Sequence, residues 1–511
     1  MPIFNSLFSW LMKKRIHQID LFIKYPLDVQ LELFRKLMSG AKDTYWGKKY
    51  DYASILKPDQ YRNRVPINDY NSLKPYIDRV RKGEQNLLWN TDIKWFAKSS
   101  GTTSSKSKFI PVSNEALEEC HFKGGKDMLS IYFHNHPDSR IFAGKGLAMG
   151  GSSTFTEINN ETYYTGDLSA ILMQNLPLWV QLKKTPNRSI ALMDEWESKI
   201  EKMANVTMEH DVTSISGVPS WTLVLIRRIL ELSGKNNLAD VWPNLEVFFH
   251  GGVNFNPYRT QFKSHIRSDR MNYMEVYNAS EGFFAIQDRT DYNDMLLMLD
   301  YGIFYEFIPG NELGNENPKT VFLDEVETGK NYAVVISTNG GLWRYLIGDT
   351  IKFTSTDPYR IIISGRTRNF INAFGEELII ENAEKAMAVA CEKCNAIVSE
   401  FTAAPVYFNE KQNAAHQWLI EFSQEPKNLD VFADTFDNAL KSLNSDYEAK
   451  RYKNMVLGQP LIKAVPVKTF YNWMKKHNKL GGQHKVPRLY NERKYVDDIL
   501  KMIDNPKSSG N

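Results

Sequence analysis

Residues 221–252, WTLVLIRRILELSGKNNLADVWPNLEVFFHGG, decide the fold. The first part, WTLVLIRRILEL (221–232), reads as a helix, and LEVFFHGG (245–252) reads as a short buried-type strand run closed by a glycine pair. YAVVIST (332–338) is a second run of that type, and such runs alternating with helical stretches argue α/β rather than all-α. Upstream, residues 1 to about 85 are helical in pattern and rich in Lys, Leu and aromatics, with Pro26, Pro58, Pro66 and Pro75 as punctuation. Downstream, LWRYLIGDTIKF (342–353) and YRIIISGR (359–366) are strongly β in character, and a helix-like run begins near Leu378. The pair Gly365-Arg366 reads as a hinge, so the chain divides into residues 1–366 and 367–511, the second part being long enough for a domain of its own.

Composition narrows the function. Hydrophobic residues make up 42% of the 511 and charged residues 24%, so a sizeable core is expected and disorder is not. Subtracting 60 acids from 63 bases leaves +3, too little over this length to predict a nucleic-acid partner. The 3 cysteines, Cys120, Cys391 and Cys394, are too few for a disulfide scaffold and fit a reducing compartment, the cytoplasm being the simplest. No run approaches the ~18 apolar residues of a membrane span. Phe4, Leu7, Phe8 and Leu11 precede rather than follow their basic residues, which is the reverse of a signal peptide. They read as an amphipathic helix packed on its own domain.

Five segments carry chemistry. The strongest is WFAKSSGTTSSKSKFIPVS (95–113), where Ser99, Ser100, Thr102, Thr103, Ser104 and Ser105 surround Gly101, with Lys106 and Lys108 behind, between two strand-like runs. Hydroxyls and backbone N–H groups turned inward can cradle phosphate oxygens while a lysine supplies charge. It is no Walker loop, which needs a glycine directly before Lys-Ser/Thr and a helix after it. The same composition also makes a flexible linker, although linkers seldom join two strands. In MEVYNASEGFFAIQ (274–287), Tyr277 can stack on a base, Asn278 can bond its edge and Glu281 can hold Mg²⁺, or the segment is a surface turn with an incidental acid. Asp349, at the close of one strand in TNGGLWRYLIGDTIKF, can accept two ribose hydroxyls or stabilise a turn. In SGRTRNFINAFGEELIIENAEKAM, Arg366 follows a strand and Phe374, Gly375 and Glu376 form a turn before a helix. In KLGGQHKVPRLY, Gly481 and Gly482 make a mobile turn carrying Lys485 and Arg488. Cys391 and Cys394 read as a helical pair with no zinc partners, and His134 with His136 as a loop pair without a ligand.

Taken in order, these segments resemble the adenylate-forming superfamily of acyl-CoA synthetases, peptide-synthetase adenylation domains and luciferases. The resemblance spans nearly the whole chain and is closest to the auxin-responsive Gretchen Hagen acyl-acid amido synthetases. It implies an α/β fold: a large N-terminal domain of mixed sheets, helices and a β-barrel-like part, plus a small mobile α+β C-terminal domain. It implies that Ser99, Ser100, Gly101, Thr102, Thr103 and Lys108 hold phosphates, that Tyr277, Asn278 and Ser280 lie near adenine and the α-phosphate, and that Glu281 binds Mg²⁺. Asp349 then takes the ribose, Arg366 a hinge-side nucleotide contact, and Lys485 the role of a mobile catalytic lysine. The acyl slot would lie between the 150–180 region and FFHGGVNFNP, with Phe249, Gly251, Gly252, Val253 and Phe255 lining it. Two departures stand out: Ser105 replaces the usual second glycine of the phosphate loop, and FGEELIIENAEKA follows the wider superfamily more than the plant branch. The implied function is ATP-dependent, Mg²⁺-assisted activation of a carboxylic acid as its adenylate, then transfer to an amine, an amino acid above all. The alternatives are a thioester ligase of the same superfamily and an inactive binding homologue.

Overall fold

The decisive helix spans Pro219–Ser233 in the computed structural model, which describes residues 14–504 except 101–106, 152, 159–160, 254, 291, 314, 368–369, 377, 409–413 and 478–487. A proline at its first turn lacks an N–H that would go unbonded there anyway, and Gly234 ends it at a left-handed φ of 65°. The strands follow in chain order. β1 (Trp95–Ser100), β2 (Ser107–Val112), β4 (Ser153–Ile158) and β5 (Glu161–Gly166) form a four-stranded sheet ordered β2-β1-β5-β4. β3 (Lys145–Ala148), β6 (Lys184–Thr185), β7 (Val212–Gly217), β8 (Val247–His250) and β9 (Asn272–Ala279) are mutually parallel in the order β6-β3-β7-β8-β9. All four residues of β8 are buried, as a parallel strand covered on both faces requires.

The same sheet continues antiparallel beyond β9, with β10 (Gly282–Ile286), β11 (Met295–Leu297), β12 (Ile303–Pro309), β13 (Asn331–Thr338), β14 (Tyr345–Thr356) and β15 (Tyr359–Arg366), in the order β9-β10-β11-β15-β14-β13-β12. Four strand spacings of roughly 4.8 Å separate β9 from β14, about 19 Å along the sheet. Yet the Tyr277 hydroxyl on β9 donates to Asp349 Oδ2 on β14 at 2.6 Å. Two such side chains cannot bridge that distance on a flat sheet, so the antiparallel part must curl on itself. This is the barrel-like portion.

Beyond β15 the chain builds a separate α+β unit. β16 (Phe370–Ile371) pairs with β17 (Leu378–Ile379), and β18 (Ile397–Val406), β19 (Ala415–Gln424) and β20 (Leu461–Val465) form a sheet with helices Ile380–Cys394 and Leu429–Leu443 packed against each other. This unit is seated on the parallel half through a common apolar core in which Ile371, Ala373 and Phe374 join Val253, Tyr258 and Phe248. Backbone carbonyls of the post-hinge segment accept from side chains beneath: Phe374 O from Ser220 Oγ at 3.1 Å and Ala373 O from Tyr258 Oη at 2.6 Å. The C-x-x-C pair lies in the helix Ile380–Cys394, whereas His134, read as part of a loop, sits in the last turn of the helix Lys123–Asn135. The periodic run Phe4 to Leu11 lies outside the described residues.

The helical opening is held to the barrel in part by an arginine whose buried ion pair lies within the barrel. Arg344, 4% exposed, donates to Glu306, 1% exposed, at 2.8 and 2.9 Å. Its remaining N–H groups reach the carbonyls of Arg62 and Val65 at 2.7 and 2.6 Å and Thr320 Oγ1 at 3.0 Å. Every polar atom of the guanidinium is thereby occupied, the condition under which a buried pair holds. Glu306→Ala leaves that cation uncompensated; the expected loss is about 3–5 kcal/mol, read as a fall in the urea midpoint of the intact chain. An unchanged midpoint would refute the clamp.

Candidate active site

The end of β9, the start of β10 and the interior of β14 bring the predicted nucleotide residues together. Tyr277 and Asp349 are both buried and bonded to one another. Asp349 was expected where a strand closes, but it lies inside β14, because Gly348 at φ 96° turns the strand without ending it. Arg366 stands opposite Asp349 in the β14–β15 register, and Gly365 opposite Thr350, so the pair read from sequence as a hinge lies in β15 beside the same place. Asn278 belongs to β9 rather than to the turn, which is left to Ser280 and Glu281.

Ser99 and Lys108 face each other in the antiparallel β1–β2 pair, and Ser100 pairs with Ser107, so the loop between them closes a hairpin. Gly101, Thr102 and Thr103 in that loop, like Gly481, Gly482 and Lys485, lie outside the described residues. Lys108 is 6% exposed and is within 4 Å of no carboxylate among the described residues. A buried ammonium without a counter-charge is suited to receive an anion.

Ser280 and Glu281 line a small pocket, with room for about one water molecule, together with Pro111, Cys120, His121 and Asn339. His121 was not singled out from sequence. It sits in a π-helical segment, Ala116–Phe122, four residues after buried Leu117, and a histidine on that apolar i, i+4 face was the available signal. Burial pushes its imidazole down to about 4, against a weaker opposing contribution from the Asn278 side chain. It is therefore neutral near pH 7, and its Nδ1 and the Asn278 Oδ1 are buried without hydrogen-bond partners among the described residues.

Of the five residues expected to line an acyl slot, Phe249 and Phe255 belong to two different apolar cores. Phe249 packs edge-on against Tyr132 at 5.6 Å, while Phe255 stacks on His250 at 4.0 Å in the other core. The glycine turn between them is pressed against β9: a Cβ on Gly251 would lie 2.3 Å from the Val276 carbonyl oxygen, one residue from Tyr277. Gly252 takes a φ of 82°, and Val253 reaches toward Gly375 of the post-hinge segment. Glu275, on the Tyr277 side of β9, is pushed up to about 7 by burial, with Arg259 opposing. For a metal, Glu281 supplies one hard carboxylate, and no cluster of three or more ligating side chains occurs among the described residues. One carboxylate plus substrate phosphates is the donor set Mg²⁺ commonly takes, so the residues fit that ion.

Comparison with known proteins agrees with this architecture. Family models described as the GH3 family N-terminal, central and C-terminal domains match residues 15–271, 296–366 and 381–494. The indole-3-acetic acid-amido synthetase GH3.3 of Arabidopsis thaliana is 22% identical over 93% of this chain and 91% of its own length. The jasmonoyl-L-amino acid synthetase JAR6 of Nicotiana attenuata is also 22% identical, over 93% of each chain. Among solved structures, the GH3.15 acyl acid amido synthetase in complex with 2,4-DB superposes with a TM-score of 0.61 at 16% identity, covering 97% of this chain and 96% of that one. A 2-hydroxyisobutyryl-CoA ligase gives 0.55 at 12% identity over 94% and 92%, a likeness of fold. With its three domain models in sequence order over most of its length, the chain belongs to the GH3 family.

Proposed function

We propose that this protein is an ATP-dependent acyl-acid amido synthetase, which activates a carboxylic acid as its adenylate and passes the acyl group to an amine, in the first instance an amino acid. The observation that carries the reading is the Tyr277–Asp349 contact, made between segments 72 residues apart with the hinge pair across from it. Membership of a family whose relatives are amido synthetases supports it.

In the first half-reaction an oxygen of the acid attacks the α-phosphorus of ATP and the bond to pyrophosphate breaks. The hydroxyl loop, Ser99 to Thr103, and Lys108 hold the phosphates. Asp349 releases Tyr277 to accept the ribose hydroxyls, which frees the phenol ring to stack on adenine beside the Gly251–Gly252 turn. Asn278 and Ser280 face the base edge and α-phosphate, and Arg366 contacts the nucleotide from the hinge. Glu281 would hold Mg²⁺, which would neutralise part of the phosphate charge. The acyl group lies along the turn from Phe249 through Val253 to Phe255. Lys485 approaches on the mobile C-terminal unit for this step and withdraws afterwards, a gating movement rather than a source of chemical rate. In the second half-reaction the amine attacks the acyl carbonyl, the acyl–phosphate bond breaks and AMP leaves.

Pyrophosphate exchange over a panel of aromatic and aliphatic acids tests the reading; ATP binding with no exchange for any acid overturns it. AMP release stimulated by coenzyme A and by no amino acid would assign a thioester ligase instead. Lys485→Ala is expected to cost about 10² to 10⁴ in adenylation, the range for a principal charge contributor, and to spare transfer from preformed adenylate; equal loss in both steps contradicts the swinging lysine. Asp349→Ala, which removes two charge-assisted bonds to ribose, should raise the KM for ATP at least about tenfold, as read by exchange rates at varied ATP. Chelation with EDTA should abolish exchange and added Mg²⁺ restore it.

A further inference from the structure

A second buried cation lies where the C-terminal unit meets the large domain. Lys450, in the helix Ser445–Arg451, is 9% exposed, and its helix packs against β1, the strand that leads into the phosphate loop. Its ammonium stands 5.0 Å from the ring centre of Trp221, whose indole is stacked on Trp196 at 3.9 Å. No carboxylate of a described residue comes within ion-pair distance of it. Asp446, Glu376 and Asp167 act on it only through their longer-range fields, and burial lowers its proton affinity despite them. The Glu376 carboxylate is already engaged, by His416 Nε2 at 2.7 Å and by the backbone N–H groups of Ala373 and Phe374 at 3.2 and 2.7 Å. The neighbouring Lys199 is satisfied differently, by the Gly150 carbonyl and the Trp196 ring.

The tip of Lys450 packs against a glycine, Gly375, whose missing side chain makes room for the ammonium. A Cβ on Gly375 would fall 3.3 Å from Lys450 Nζ and 4.0 Å from Val253 Cγ1, and the φ of 87° also disfavours a side chain there. An oxyanion entering this place would find an ammonium, an indole face and the glycine turn that borders β9. Two sources of oxyanion exist in the proposed reaction, the nucleotide phosphates and the carboxylate of the acceptor. The proposed phosphate site already has a buried lysine of its own in Lys108 on the large domain, whereas Lys450 is left without an anion by that reading, which favours the second substrate. We infer that Lys450 anchors the carboxylate of an amino-acid acceptor at the seam between the two units. The inference rests on the amido synthetase reading above and adds to it the recognition of an acidic amine over a neutral one.

The test uses the full-length chain, one accepted acyl acid, and the amino acid giving the fastest AMP release from the twenty, alongside the carboxamide of that amino acid. In K450M the ratio of kcat/KM for the amino acid to that for its carboxamide should fall about ten- to a hundredfold, the range for one bond between charged groups. K450R should keep most of the ratio, and K450Q serves if K450M is not recovered folded. A ratio within twofold of the unaltered protein, or a rise in the KM for ATP larger than that for the amino acid, overturns the assignment. Pyrophosphate exchange that proceeds in the unaltered protein while no amino acid stimulates AMP release overturns the amido synthetase reading itself, and is recognisable without any variant.

Discussion

A phenol hydroxyl and a carboxylate meeting at 2.6 Å across a sheet that should hold them about 19 Å apart is the constraint from which the site follows. Satisfying it requires the antiparallel strands to curl, and the curl carries three otherwise distant places to one rim: the Ser280–Glu281 turn, the middle of β14, and the end of β15 with its hinge. The parallel half approaches β9 from the other flank. There Gly251 admits the Val276 carbonyl at a separation that no side chain would allow. β9 is thus held by one half of the sheet on each edge, and its outward residues are presented between them.

Much of this was legible because the informative residues are local. Strand runs, glycine pairs and the hydroxyl-rich hairpin declare themselves within a few positions, and the strands found at 95–100 and 107–112 flank the loop as expected. Asp349 was misplaced in its element, since a glycine at positive φ reads the same whether it bends a strand or stops it. His121 and Lys450 were missed for another reason. What makes each notable is burial with no opposite charge paired to it among the described residues, and burial is set by elements far away in sequence: β9 for the histidine and the helix Pro219–Ser233 for the lysine. The phosphate-loop tip and Lys485 lie among the residues not described, so their roles rest on pattern alone.

Burial also sets the electrostatic character of the site before any ligand arrives. Desolvation holds His121 neutral, drives His250 down to about 3, and lifts Glu275 to about 7, so near neutral pH the two histidines are uncharged and Glu275 is only partly ionised. Lys108 and Lys450 are cations without ion-pair partners among the described residues. A triphosphate and an acidic amine entering such surroundings meet positive charge with few competing anions, in a medium where each contact counts for more than it would in water.

The seam between the units constrains how the proposed rotation can proceed. Its polar contacts, from Ser220, Tyr258 and Gln261 to the carbonyls of Phe374, Ala373 and Phe408, can be exchanged for water at small net cost. Its apolar contacts cannot. Phe374 is fully buried, in a core shared by both units, and exposing a side chain of that size would cost about 1.5–3 kcal/mol for this residue alone. A half-rotated unit would bear that cost for Phe374, Ile371 and Ala373 together, so intermediate angles should be sparsely populated. Any second arrangement must supply new apolar cover for the same three residues, which makes the movement a switch between two packed states rather than a loose swing.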